Sequence, residues 1–204
     1  MKKLVLWLIP LLVYGLGAKA QISTSYLWHL HQPTYWGDVS KKNPNRYQMV
    51  KESQDLKTSG ANNDKNGLAH PTNNLVEIFS TGDRVAAYQF APKNAISSIA
   101  DLPKAGAQIT YGGSLMENVQ ELAQANQWGY STSWTQNIKD AKGWKTSGGF
   151  PRMEVVSFTM HHALSPLLSD EALTKEIKAH QYYSAQLFGT HDSKGYWPAE
   201  CAFS

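Results

Sequence analysis

The stretch His29-Leu30-His31-Gln32-Pro33 closes a short apolar run, Tyr26-Leu27-Trp28. Side chains at i and i+2 of a strand share a face, so both imidazoles project the same way. Pro33 has no N–H to give a sheet ladder and ends the strand just beyond them. The pair therefore sits at a strand mouth, where many α/β enzymes keep their chemistry. The same two residues would also suit a core in which each imidazole is hydrogen-bonded, and the later segments decide between the two.

Outward from this strand, Ile22 to His29, the segment 36–67 is rich in Lys, Asn, Gly and Ser and reads as a long loop or insertion. Within it, 47–50 suggests a brief ordered element. Asn73 to Phe79 reads as a short helix, with Leu75, Val76 and Phe79 as its apolar side, and 85–90 reads as a strand. Gln108 to Tyr111 is a second short strand after a Gly-Ala turn. A helix should follow, with Ser114 as cap, Glu117 completing a capping box, and Leu115, Val119, Leu122 and Ala123 on one face. Gly129 supplies its stop. Met153 to Met160, with Val155, Val156 and Phe158, is the strongest strand signal. Ser169 opens a long helix whose first turn holds Asp170 and Glu171, where acids favour the positive end of the dipole; Gly189 closes it. Glu200 falls near the end of another strand. Strands alternating with helices imply an α/β layer or barrel with a mostly parallel sheet.

Composition limits the partners. Lys2 and Lys3, the apolar stretch from Leu4 to Gly17 and Ala18-Lys19-Ala20 have the form of a cleavable signal peptide over residues 1–20. The whole chain has 19 Lys+Arg against 16 Asp+Glu, and removal of Lys2, Lys3 and Lys19 leaves 16 against 16. A formally neutral mature chain gives no reason to expect nucleic acid or an anionic membrane as partner. One cysteine, Cys201, excludes an internal disulfide framework, so the expected secreted or periplasmic location rests on the leader. The apolar, acid-bearing tail 197–204 fits an N-terminal piece of a longer protein.

Four polar clusters adjoin strand-like segments: His29 with His31, Glu154, His161 with His162, and Glu200. Each has a structural alternative, because a buried carboxylate or imidazole needs only a hydrogen-bonding partner. In a strand, His161 and His162 point to opposite faces, so one of them serves a given pocket. Ligand spacings of zinc sites, Gly-x-Ser-x-Gly, a phosphate-binding loop and a dinucleotide fingerprint are all missing, and Gly112-Gly113 and Gly148-Gly149 read as ordinary turns. Seven tryptophans and ten tyrosines suit stacking on sugar faces or a large aromatic core, and composition does not choose.

Three motifs in order resemble those of glycoside hydrolase family 57: His29-Leu30-His31-Gln32-Pro33; Glu154-Val155 running to His161-His162 and Pro166-Leu167-Leu168; and Trp197-Pro198-Ala199-Glu200. A glycine displaced to Gly149 departs from the usual second motif. The resemblance implies an incomplete (β/α)7 barrel, of which this chain supplies the N-terminal portion over residues 21–204. It implies a retaining glycosidase or transglycosylase on α-glucans, of amylase or 4-α-glucanotransferase type, with no cofactor and with an oligo- or polysaccharide as partner. By the same resemblance Glu200 is the nucleophile, and His29, His31, Glu154 and His162 bind substrate, with Trp28 and Trp197 as neighbouring walls. The acid/base aspartate of that family lies in a later motif, expected beyond residue 204; Asp38, Asp170 and Asp192 stand in other contexts. The rival readings are a non-catalytic glycan-binding protein on the same fold, and a carbohydrate deacetylase or metal-dependent mannosidase. The latter calls for an Asp beside the first motif, where this chain has Gln32-Pro33.

Overall fold

Three short parallel strands and the helices between them carry the architecture in the computed structural model, which describes residues 24–35, 39–60 and 74–203. The expected leader, 1–20, and the first residues of the predicted opening strand lie outside the described residues. In chain order the elements are β1 (Leu27–Leu30), α1 (Val50–Thr58), α2 (Leu75–Ser80), α3 (Gly82–Gln89), α4 (Ala91–Ser98), β2 (Ala107–Tyr111), α5 (Gly113–Gln124), α6 (Trp134–Gly143), β3 (Met153–Val156) and α7 (Asp170–Phe188). The sheet order is β1-β2-β3, all parallel, with Leu27 opposite Gln108 and Gln108 opposite Glu154. A parallel bridge from Ser157 to Tyr196 adds the start of a fourth position after α7. Sequential parallel strands with helical crossovers form part of a (β/α) barrel that these elements leave open. Among the described residues, no helix is long and apolar enough to cross a membrane.

Strand parity divides the sheet into two unlike faces. Ile109, Tyr111, Met153 and Val155 point to the helices and form the core with Phe79, Leu115, Val119, Leu122, Trp134, Ile138 and Phe188. The other face carries Leu27, His29, Gln108, Thr110, Glu154 and Val156 in register. One face is thus an apolar layer, and the other is a polar floor.

Several elements differ from expectation. Residues 85–89 belong to α3, with Phe90 just past its end, and not to a strand: Val85 and Ala87 pack on the core, and the Tyr88 carbonyl accepts a hydrogen bond from the Tyr111 hydroxyl at 2.7 Å. The 36–67 segment is more than loop, since it holds α1. Glu52 in α1 is buried because it accepts from Ser40 Oγ at 2.5 Å and from the Lys41 amide at 2.7 Å. The capping box at Ser114 does not form. Helix α5 begins one residue earlier; the Ser114 hydroxyl donates to the Gln32 carbonyl at 2.7 Å, and Glu117 accepts from the Tyr47 hydroxyl. Helices α4 and α6 lie where no helix was expected. By contrast, α7 starts and stops as the residues dictate: Ser169 Oγ accepts from the Ala172 amide at 3.3 Å, and Gly189 takes φ of 78° at the exit.

A candidate active site at the strand mouths

The imidazoles of His29 and His31 leave β1 on the polar face, as parity requires. Thr110 on β2 stands beside His29, with 2.6 Å between its hydroxyl and His29 Nδ1. Gln32 fixes the chain just after the pair: its amide donates to the Tyr88 hydroxyl at 2.7 Å and its carbonyl oxygen accepts from Tyr35 at 2.6 Å. Gly112 makes room at the mouth of β2. A Cβ there would lie 2.8 Å from His31 Nδ1, and one at Gly113 would lie 2.3 Å from the Met160 carbonyl oxygen. These two glycines are close-approach positions and not ordinary turn residues.

His162 completes the cluster from the far side. Its ring stacks on His31 with centroids 3.7 Å apart and lies 5.5 Å from His29, while Phe158 floors both His29 (5.0 Å) and His162 (5.2 Å). His161 turns away to Glu176 at 2.8 Å, so only one of the two neighbours serves the pocket. Glu200 Oε1 stands 3.3 Å from His162 Nε2, outside hydrogen-bond alignment, and the Glu200 side chain is 70% exposed. His162 and Glu200 both take left-handed φ values, 59° and 54°. Side chains seldom adopt that conformation, and it concentrates at sites where function fixes the geometry. The Glu200 segment is fastened to β3 through Ser157, whose amide donates to the Gly195 carbonyl at 3.0 Å and whose carbonyl accepts from Trp197 at 2.9 Å.

Burial sets the protonation of the first two histidines. Desolvation, then the neighbouring His162 and His29, lower the pKa of His31 to about 4. Desolvation also lowers that of His29, helped by His162 and opposed by Glu200. At neutral pH these rings are uncharged, and each offers one donor and one acceptor.

The structure thus brings His29, His31, His162 and Glu200 together. Glu154 shares their face but sits one same-face row nearer the start of its strand, about 6.6 Å along at the usual rise. Its carboxylate accepts from Gln108 Nε2 at 3.0 Å and Ser193 Oγ at 2.7 Å, and it lines a cleft of about 710 Å³ with Ser25, Lys104 and Phe150. Trp197 continues the register beside Phe158. Parity puts Trp28 on the helix-facing side with Leu30, where it lines a groove together with His29, Ala91 and Pro92. Phe158 and Thr110 were missed by sequence reasoning, although the i, i+2, i+4 parity from Glu154 through Val156 pointed Phe158 inward.

Residues 25–204 match the family model of Glycosyl hydrolase family 57. The chain belongs to that family. An alpha-amylase from Niallia circulans is 29% identical over 205 residues, covering 91% of this chain and 16% of that protein. The family 57 chain therefore spans about a sixth of the length of this relative. The three motifs of the family fall at the strand mouth, on β3 and its exit turn, and on the Ala199–Cys201 turn. Among the described residues, no three of His, Cys, Asp and Glu converge as metal ligands.

Proposed function

We propose that this family 57 chain carries the nucleophile of a retaining glycoside hydrolase or transglycosylase acting on α-glucans. The observation that supports the reading most is the Glu200 carboxylate, 3.3 Å from His162 Nε2 and open to solvent above the stacked histidines. The alpha-amylase relative favours a glucan substrate, and the leader-like residues 1–20 favour a location outside the cytoplasm.

In this reading a Glu200 oxygen attacks the anomeric carbon. The glycosidic C–O bond breaks, its electron pair goes to the leaving oxygen, and an acid/base carboxyl protonates that oxygen. The covalent glycosyl-enzyme is then opened by water in hydrolysis, or by a sugar hydroxyl in transfer, with the same carboxyl taking the proton. Retention needs that carboxyl about 5–5.5 Å from the nucleophile. We assign it to an aspartate beyond residue 204 and give the role to no acid within the described residues. His29 and His31, neutral donors and acceptors, hold the hydroxyls of the sugar next to the scissile bond, with His162 beside them. Glu154 binds deeper along the same face, and Trp197 provides a wall.

The test is reducing-sugar release from maltooligosaccharides and starch by the full-length protein, beside Glu200→Gln. Activity that collapses in the folded variant supports the assignment, whereas activity kept by the variant refutes it. A folded protein that binds glucan without turnover would favour the glycan-binding alternative.

A further inference from the structure

Helix α7 grips the exit of β3 at three points through two residues one turn apart. Glu176 and His180 share a helix face at i and i+4. His180 is fully buried; its Nε2 donates to the Tyr111 carbonyl at 2.8 Å, so its Nδ1 is free to accept from the Phe158 amide at 3.3 Å. One neutral imidazole thereby ties the ends of β2 and β3 to the same helix. A turn earlier, the Glu176 carbonyl accepts from the Met160 amide at 3.3 Å. Its carboxylate takes the His161 amide at 2.8 Å through Oε2 and the His161 ring at 2.8 Å through Oε1. The next residue is His162, held at φ of 59° and stacked on His31. Left-handed backbone at a non-glycine residue persists only where its surroundings over-determine it, and the Glu176 carboxylate is the group that pins the residue before it.

We propose that Glu176 and His180 are positioning residues that set the His162 ring against His31 and Glu200, Glu176 by fixing the Thr159–His162 turn and His180 by fixing the Phe158 floor beneath it. Neither touches the place where sugar would lie, and both act through a neighbour. The catalytic consequence rests on the retaining-glycosidase reading, but the geometric claim does not.

The test uses NMR of this chain together with kinetics of the full-length protein. In imidazole nitrogen–proton correlation spectra of the unsubstituted chain, His180 is expected as the Nε2–H tautomer; the Nδ1–H tautomer would overturn its part. In Glu176→Ala, the ring-current-shifted protons of the stacked His31 and His162 are expected to move toward free-histidine positions while core methyl resonances stay. Glu176→Gln, which keeps an acceptor for His161, is expected to restore most of the shift. In the full-length protein, kcat should fall by up to about 10²-fold in Glu176→Ala, with KM nearly unchanged and partial rescue in Glu176→Gln. An unaltered histidine stack in Glu176→Ala would overturn the proposal. If the full-length protein lacked activity while the stack still responded to Glu176→Ala and recovered in Glu176→Gln, positioning would be upheld and the glycosidase reading would fail alone.

Discussion

His31 and His180 are kept neutral by burial, each with a pKa lowered to about 4. Between there and the ordinary histidine value near 6.5, the unfolded chain binds more protons than the folded one. Their contribution to stability is present above about pH 6.5 and is lost as pH falls toward 4. Glu117, whose pKa burial raises, gives a slope of the opposite sign. The melting temperature is therefore expected to drop on acidification from pH 7 to 4, and His180→Gln should flatten that drop; circular dichroism melts at several pH values check it. Gly112 offers a second test. A methyl at that position meets His31 Nδ1, so Gly112→Ala should cost about 1–3 kcal/mol by denaturant unfolding and displace the histidine stack. The four polar residues of the site were legible because side-chain chemistry and motif order mark them. Gly112 and Thr110 were not, since their roles depend on which strand lies alongside, and cross-strand register is absent from a single sequence; Phe158 was marked only by the parity of its own strand.

Helix α7 was legible because every local signal agrees: a serine cap, acids in the first turn and a glycine stop. Where local and tertiary preferences disagree, tertiary contacts decided. Residues 85–90 read as a strand, yet 85–89 fold as the end of α3, where Val85 and Ala87 pack on the core and Gln32 reaches the Tyr88 hydroxyl. The Ser114–Glu117 pair has a capping pattern, but its side chains are taken by Gln32 and Tyr47. Arg152, just before β3, is a buried connector. Its guanidinium donates to the carbonyls of Ile99, Ala100, Leu102 and Ala105 at 2.9–3.3 Å, and Nε donates to that of Lys145 at 3.0 Å. It fastens the end of α4 and the approach to β2 onto β3. Arg152→Met would leave several of these oxygens unpaired, and a loss of about 2–5 kcal/mol in stability is expected from urea titration.

Taken as a whole, the molecule is a parallel sheet with one apolar face covered by helices and one polar face that gathers histidines and carboxylates at its rim. Family 57 membership accounts for the motif order, and the sheet geometry explains why motifs far apart in sequence meet: His29 lies near the end of β1 with His31 just past it, His162 ends the turn after β3, and Glu200 follows the segment bridged to Ser157. Glu200 is the proposed nucleophile, and the role can be read out chemically. It is tested most directly by trapping the glycosyl-enzyme of the full-length protein with a 5-fluoro-α-glucosyl fluoride and mapping the labelled peptide by mass spectrometry. One added glycosyl group is expected on the peptide containing Glu200, and none in Glu200→Gln. A label on a different carboxylate would contradict it.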